Sequence, residues 1–234
     1  MSWPDQIDKV YLIVHPLKEK ERFERLIENC LRVGIPRERL YVVPVCWGDE
    51  LSSETIFQVY DPYLQRPCNC FTFKGRTLTR AEISLGLNFY SAVRSAIEHN
   101  TKYVITLESD VYLRDDFVSR LSDLWKDLEG RKWDYVSLGE GIGTRPPERQ
   151  MTSMYAQTKA FTPPHQLVFR CTDSMMFNTE YLKKLAVTFI PFREIIDWEM
   201  NFQMLLHRGT ALWADPPLCE QGTCFNRMVS SLPS

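Results

Sequence analysis

The hydrophobic positions of the chain fall into two alternating patterns. Short continuous runs of apolar, often β-branched residues predict strands that are buried on both faces of a sheet. Such runs occupy residues 10–14, 40–43, 103–107, 135–138, 166–169 and 211–214. The run at 103–107 is the clearest of them, and it leads directly into Glu108, Ser109 and Asp110.

Between these runs, apolar residues recur at three- and four-residue spacing, which predicts helices. The predicted helices cover residues 23–31, 79–99, 116–128, 180–185 and 196–207. Thr79 and Glu82 match a capping box at the start of the longest helix. Residues 47–77 are expected to form an irregular excursion that carries short elements, and residues 139–164, rich in Gly, Pro, Thr and Arg, a mobile loop.

This alternation of strands and helices predicts an α/β fold with a mostly parallel central sheet flanked by helices. The chain has 234 residues, and no repeat or linker divides it, so residues 1–234 are assigned to a single domain. Ligands of such sheets bind beyond the carboxyl ends of the strands. Glu108 and Asp110 follow such an end.

Charge and composition exclude several classes of protein. The formal net charge is -2, and no run of Lys and Arg is present, so nucleic acid is not an expected partner. No segment approaches the roughly 20 apolar residues of a transmembrane helix, and the first apolar run is too short for a signal peptide. The basic residues between Lys18 and Arg25 alternate with acidic ones, which favours a solvated helix face.

The cysteines favour a reducing compartment, and a cytoplasmic location is expected. The chain has seven of them, an odd number that cannot all pair internally. Cys68 and Cys70 form C-x-C, and Cys219 and Cys224 form C-x4-C, neither of which is the usual zinc knuckle. Isolated thiols are therefore expected.

Glu108 and Asp110 are the strongest candidates for chemistry. A buried strand fixes the backbone, and the turn after it directs two carboxylates into one small volume. Two like charges at that distance repel unless a cation lies between them. Mn²⁺ or Mg²⁺ binds such hard oxygen ligands and leaves positions for phosphate oxygens. The alternative is that these acids only cap the following turn, as Asp115 and Asp116 are expected to do.

Six segments resemble glycosyltransferase family 25, the lipooligosaccharide and procollagen galactosyltransferase type, and they occur in the same order. They are residues 10–14 with Arg22 and Arg25, LTRAEI at 78–83, VITLESD at 104–110, SMMF at 174–177 with Lys184 and Leu185, Ile196-Asp197-Trp198, and Pro216-Pro217-Leu218 with Gln221. The chain departs from the family where Asn88 and Phe89 replace Ser-His, and where Ser109 replaces the middle acid of the metal motif.

The resemblance implies a single GT-A-like (Rossmann-like) domain and transfer of a hexose with inversion. The implied donor is a nucleotide-diphosphate sugar, UDP-galactose or UDP-glucose, and the acceptor is a hydroxyl of a glycan or glycoprotein. Residues 1–138 are assigned to binding the nucleotide sugar, and residues 139–234 to the acceptor and the catalytic base. Inversion needs one base opposite the leaving diphosphate. Asp197 is the first candidate and Glu199 the second, with helix capping by Asp197 as the alternative.

The hypothesis places the donor diphosphate on a cation at Asp110, with Glu108 beside it. His207 is a candidate late metal ligand or, alternatively, a cap at the end of its helix. Asp173 is a candidate for binding acceptor hydroxyls or, alternatively, for a structural role in a turn. The donor-contacting residues are expected to be Val14, His15, Pro16, Arg80, Leu107 and Ser109.

Two other functions stay open. A nucleotidyltransferase would use a metal and a nucleotide on a similar sheet, but its usual Gly-rich phosphate loop is replaced here by His15-Pro16-Leu17-Lys18. A non-catalytic partner-binding domain would use Tyr155, Phe161 and the Pro-rich loop as its surface. Such a domain has no need for both acidic pairs.

Overall fold

The computed structural model describes residues 2–72, 76–139, 157–169, 171–224 and 227–229. Its central sheet has seven strands in the order β2-β1-β3-β7-β5-β8-β6. They are β1 (Ile7–Ile13), β2 (Leu40–Val42), β3 (Tyr103–Glu108), β5 (Tyr135–Ser137), β6 (Lys159–Phe161), β7 (Ser174–Asn178) and β8 (Ala211–Asp215). A separate two-stranded sheet joins β4 (Val111–Leu113) to β9 (Cys219–Gln221).

Five of the seven strands run in one direction. β1 is parallel to β2 and β3, and β5 is parallel to β8, whereas β7 runs antiparallel between β3 and β5, and β6 runs antiparallel to β8. The predicted α/β fold with a mostly parallel sheet is confirmed. Because β7 is reversed, the residues that precede it reach the edge where the parallel strands end.

Helices cover both faces of the sheet. They are α1 (Lys20–Arg32), α2 (Ser53–Val59), α3 (Arg80–Glu98), α4 (Phe117–Leu128), α5 (Thr179–Thr188) and α6 (Ile196–Leu206). Alternate residues of β1 serve the two cores: Val10 and Leu12 pack with α1 and α4, while Tyr11 and Ile13 pack with α3, α5 and α6. Among the described helices, none combines the length and apolar character that a membrane crossing requires.

The longest helix begins as its sequence predicts. Thr79 Oγ1 accepts the backbone N–H of Glu82, and Glu82 Oε2 accepts the N–H of Thr79 at 2.8 Å. The guanidinium of Arg76 also bonds both oxygens of Glu82 and lowers the pKa of that carboxyl to about 2. The capping box therefore fixes the start of α3.

Two local predictions were wrong, and one strand was not predicted. Residues 166–169 form no strand, because the backbone N–H groups of Val168 and Phe169 donate to Asn201 Oδ1 instead of to a neighbouring strand. β6 lies inside the segment predicted as a mobile loop, of which residues 140–156 fall outside the described residues. β7 lies within a segment that was not predicted to be a strand, yet it pairs on both sides in the centre of the sheet.

Candidate active site

A cleft of about 380 Å³ opens at the carboxyl edge of the parallel strands. The ends of β1 and β3, the start of α1, the start of α3 and the segment after β2 form its walls. Its polar and aromatic lining includes His15, Glu19, Arg22, Trp47, Arg80, Asn88, Glu108, Ser109, Asp110, Gln221 and Thr223. The two predicted metal-binding acids therefore lie in one pocket.

Each of these two acids is held by a threonine from a distant part of the chain. Thr172 Oγ1 donates to Glu108 Oε1 at 2.7 Å, and Thr223 Oγ1 donates to Asp110 Oδ2 at 2.6 Å. In the described part of the chain, neither carboxylate forms an ion pair with Lys, Arg or His. Hydroxyl groups orient the two acids without neutralising their charge.

Uncompensated negative charge accumulates around Glu108. Burial and the adjacent Asp110 raise its pKa to about 8, against the Thr172 hydrogen bond, and Asp173 and Asp197 add further repulsion. Asp173 is 2% exposed, and burial is the main cause that raises its pKa to about 6. A group of carboxylates in a buried site favours either protonation or a bound cation.

The reversed strand β7 supplies the third acid of this group. The backbone N–H of Glu108 donates to the carbonyl of Asp173 at 2.8 Å, which aligns the start of β7 with the end of β3. A Cβ on Gly139 would lie 2.5 Å from Asp173 Oδ2 and 2.6 Å from Ser174 Oγ, so the exit from β5 needs glycine. Asp173 therefore belongs to the floor of the site, a role that the sequence left open.

Ser109 ties helix α1 to the acidic pair. Its hydroxyl donates to Glu19 Oε1 at 2.8 Å and accepts from Arg22 Nη1 at 3.2 Å, and its carbonyl accepts from Arg25. Glu19 Oε2 also accepts the backbone N–H of His15 at 3.0 Å. The interpretation of this helix start as a solvated face was wrong for Glu19, Arg22 and Arg25, whose side chains turn inward.

The opposite wall is aromatic and glycine-containing. The rings of His15 and Trp47 meet edge to face at 5.8 Å. A Cβ on Gly48 would lie 2.9 Å from the backbone nitrogen of Ala81, so the segment after β2 approaches α3 as closely as glycine permits. No sequence signal pointed to Trp47, which lies in the segment predicted as irregular.

Asn88 anchors this wall. Its Oδ1 accepts the Cys46 N–H at 2.9 Å, and its Nδ2 donates to the Cys46 carbonyl at 3.0 Å. The amide side chain thus pairs with the backbone on both sides, as a neighbouring strand would. This position is one where the chain departs from the family pattern, and here it holds the cleft wall against α3.

The predicted donor-contacting residues divide into two groups. Val14, His15, Arg80 and Ser109 line the cleft, and the Arg80 guanidinium donates to the Leu51 carbonyl. Leu107 is 0% exposed beneath the acidic pair, and Pro16 lies beside His15 outside the lining. The donor-contacting roles of these six residues stay predictions.

The second acidic pair is split between two environments. Glu199 is 1% exposed, and Oε2 accepts from the Arg66 guanidinium and from the Arg193 N–H at 3.0 Å. Asp197 is partly exposed in the first turn of α6, and its charge acts on Glu108. The structure therefore brings Asp197 near the acidic floor but encloses Glu199 in a buried ion pair.

His207 lies away from the acidic pair. It follows α6, and its Nε2 shares a 2.7 Å hydrogen bond with Thr188 Oγ1. The next strand, β8, begins at Ala211 and runs in the same direction as β3. His207 therefore precedes a strand whose far end faces the cleft, and the structure does not bring it to Glu108 and Asp110.

The chemistry of the donor set fits a hard divalent cation with few protein ligands. Within the described ranges, no group of three or more His, Cys, Asp and Glu side chains is arranged as a complete metal site. Mg²⁺ typically uses one or two carboxylates and takes its other ligands from water and phosphate. Glu108 and Asp110, unneutralised and oriented by hydroxyl groups, match that pattern.

The fold and cleft define a GT-A-like α/β domain. The fold is similar to that of a solved S. aureus structure, TarS 1-349, which matches 97% of this chain and 63% of that chain with 15% identity and a TM-score of 0.53. At this identity the likeness concerns the fold alone. A solved glycosyltransferase involved in the glycosylation of the major capsid of PBCV-1 matches 95% of this chain and 94% of that chain, with 14% identity and a TM-score of 0.46.

In sequence, the chain is similar to glycosyltransferase 25 family members. The human "inactive glycosyltransferase 25 family member 3" is 35% identical over 69 residues, and the bovine "probable inactive glycosyltransferase 25 family member 3" is 33% identical over 69 residues. These segments make up 29% of this chain and 12% of each relative. No protein-family model matches the chain. The resemblance inferred from the motifs is confirmed over part of the chain.

Proposed function

We propose that this chain is a metal-dependent glycosyltransferase that binds a nucleotide-diphosphate sugar in the cleft beside Glu108 and Asp110. One observation carries the proposal: Glu108 ends a buried strand, Asp110 lies in the turn after it, neither has an ion-pair partner among the described residues, and burial with the repulsion of Asp110 raises the pKa of Glu108 to about 8. Mn²⁺ or Mg²⁺ would be held by these two residues. When bound, the cation would stabilise the charge that develops on the departing diphosphate.

The other cleft residues would position the donor. Thr172 and Thr223 fix the two carboxylates, and the network of Ser109, Glu19 and Arg22 holds the turn between them in place. The wall of His15 and Trp47 offers flat surface to a nucleoside. A UDP-sugar is the donor that the family resemblance implies.

Asp197 is the proposed base of an inverting reaction. It would accept the proton of the acceptor hydroxyl on the side opposite the departing diphosphate. Glu199 is not offered for this role, because the Arg66 guanidinium already occupies its carboxylate in the core. Trp198 is partly exposed beside Phe71, with ring centroids 6.4 Å apart, and provides an apolar surface for a sugar ring.

A non-catalytic sugar-binding or partner-binding domain is the second candidate. The matched human, bovine and rat relatives carry "inactive" in their names. A domain of this kind would retain the cleft without turnover. Ser109, which stands where the family has the middle acid of its metal motif, also favours this alternative.

The decisive experiment combines ligand binding with turnover. Nucleoside diphosphates and nucleotide sugars are screened with and without Mn²⁺ by thermal shift, because a ligand that binds only the folded state raises the melting temperature. Hydrolysis of the same nucleotide sugars is then measured. Asp110→Asn is expected to lower Mn²⁺-dependent hydrolysis about 100-fold or more, while Asp115→Asn, an exposed acid with 90% of its side chain in solvent, leaves it unchanged.

The outcomes separate the two candidates. A Mn²⁺-dependent shift with turnover supports the transferase. A shift without turnover in the parent protein supports the binding domain. Equal turnover in Asp110→Asn and in the parent would remove the metal proposal.

A further inference from the structure

Two cysteines lie on the two segments that flank the acidic pair. Cys171 precedes Thr172, whose hydroxyl donates to Glu108, and Cys224 follows Thr223, whose hydroxyl donates to Asp110. Cys171 and Thr172 come before α5 and α6 in the sequence, and Thr223 and Cys224 come after them. Each threonine therefore has a cysteine next to it in the sequence, and both threonine–cysteine pairs lie at the same end of the sheet.

The backbone fixes both segments to the same strand end. The Glu108 N–H donates to the carbonyl of Asp173, and the Gly222 N–H donates to the carbonyl of Asp110, each at 2.8 Å. The Cys171 side chain lies close enough to the Cys224 thiol to lower its pKa through a hydrogen bond, although burial raises that pKa overall. A disulfide requires two neighbouring cysteines, and the two segments bring Cys171 and Cys224 into the same small region.

Exposure distinguishes this pair from the cysteines of the core. Cys171 and Cys224 are both partly exposed, so a small oxidant reaches them. Cys30 and Cys219 are fully buried, with exposures of 0%. A dissolved disulfide therefore reaches this pair and does not reach the two core thiols, while Cys46, Cys68 and Cys70 are accessible as well.

We propose that Cys171 and Cys224 form a reversible disulfide that clamps the two flanking segments around Glu108 and Asp110. The bond is a modification site, and its existence does not depend on the proposed transferase activity. It would hold Thr172 and Thr223 in the positions from which they orient the two carboxylates.

The reaction is a thiol–disulfide exchange with glutathione disulfide as the oxidant. One cysteine thiolate attacks a sulfur of glutathione disulfide, forms a mixed disulfide and releases one glutathione thiolate. The second cysteine thiolate attacks the protein sulfur of that mixed disulfide and releases the second glutathione. The protein loses two electrons and two protons, and two molecules of glutathione gain them. Reduction by dithiothreitol reverses the change.

The bond would close a long loop that contains α5, α6 and strands β7, β8 and β9. Cross-links that close long loops restrict the unfolded chain, so the oxidised protein is expected to melt at a higher temperature. For a chain of this length, an increase of roughly 5–10 °C is expected. The control is Cys68→Ser/Cys70→Ser, which removes the C-x-C thiols and should give the same increase.

The test uses the full chain, equilibrated with reduced and oxidised glutathione, alkylated and digested with trypsin. Peptide 171–183 should be linked to peptide 209–227 through Cys171 and Cys224, with Cys219 alkylated. Dithiothreitol should separate the two peptides. Cys171→Ser should leave Cys224 glutathionylated, because the second exchange has no attacking thiol.

Either of two results overturns the proposal. One is alkylation of both Cys171 and Cys224 at every glutathione ratio. The other is linkage of either cysteine to Cys68 or Cys70 in the parent protein. The readout is the mass of the peptides, so it remains valid even if the protein transfers no sugar.

Discussion

Two acidic pairs with identical spacing lie in different environments in this molecule. Glu108 ends a buried strand, Asp110 lies in the turn after it, and in the described part of the chain the two share one cleft and accept hydrogen bonds from Thr172 and Thr223. Asp197 and Glu199 begin a helix, where one stays partly exposed and the other joins Arg66 in the core. Among the described residues the first pair has no ion-pair partner, and burial raises the pKa of Glu108. In the second pair, Glu199 forms an ion pair with Arg66.

The geometry of the two elements explains the contrast. Glu108 ends β3 and Asp110 lies in the turn that follows, so the turn can direct both side chains to one side, whereas residues two apart on a helix point about 200° apart. Glu108 and Asp110 therefore converge, and Asp197 and Glu199 diverge. An acid-x-acid pattern consequently indicates a shared site after a strand and at most one site residue at the start of a helix.

The largest expected effect on stability comes from removing the buried ion pair between Arg66 and Glu199. Arg66→Met leaves the buried Glu199 carboxylate without its guanidinium, which should lower the free energy of unfolding by about 3–5 kcal/mol. Urea unfolding measures it. Arg32→Met, which removes an exposed ion pair with Asp115, is the control and should cost less than about 1 kcal/mol. Equal costs for the two variants would show that the buried pair contributes no more than a surface pair.

The raised pKa of Glu108 should make the stability of the protein depend on pH. The folded-state pKa of Glu108 is raised from 4.5 to about 8, so the folded protein binds the proton more tightly than the unfolded protein. The stability of the metal-free protein should therefore fall as pH rises through that window, by on the order of 2–3 kcal/mol. Glu108→Gln should flatten the profile of melting temperature against pH. A parent profile that rises over the same window would contradict the assignment.

A smaller effect is expected from crowding the segment that reaches Asp110. A Cβ on Gly222 would lie 2.6 Å from the Tyr112 ring and 2.9 Å from the Asp110 carbonyl. Gly222→Ala should cost roughly 2 kcal/mol and weaken the Mn²⁺-induced thermal shift. Gly130→Ala has open space but a φ of 73°, so it should cost about 1 kcal/mol and leave the shift intact. An unchanged shift in Gly222→Ala would separate this segment from the cation site.

The smallest effect concerns one hydroxyl. Thr223→Val removes the donor to Asp110 Oδ2 and should cost about 1 kcal/mol of Mn²⁺ affinity, measured by titration calorimetry. Thr223→Ser keeps the hydroxyl and should restore the affinity. If both variants bind alike, the hydroxyl does not orient the carboxylate.

Periodicity predicts most of the fold because the elements it finds are long or uniform. The helix after Thr79 and the strand that ends at Glu108 are examples. β7 escapes this reasoning because its residues, Ser174–Asn178, include two methionines and no β-branched side chain. Its pairing partners lie far away along the chain, so only tertiary packing reveals it.

The candidate site likewise contains residues that the sequence predicts and residues that only tertiary packing brings together. Glu108 and Asp110 are visible in the sequence because one strand end presents both. Asp173, Thr172 and Thr223 reach them only through the reversal of β7 and the return of β9, which no local pattern records. The inward turn of Glu19 is hidden for the same reason, since Ser109 is its partner 90 residues away.

The position of Trp47 makes its fluorescence an intrinsic probe of the cleft. Of the six tryptophans, Trp47 lines the cleft. At the start of β3, on the far edge of the sheet, Trp133 stacks with Tyr103 and Trp125 meets it edge to face. Trp198 adjoins the Asp197 side. Fluorescence of Trp47 is therefore expected to change when a ligand enters the cleft, and fluorescence of Trp198 when a ligand binds beside Asp197. Exchanging either one for phenylalanine would separate the two signals without a dye.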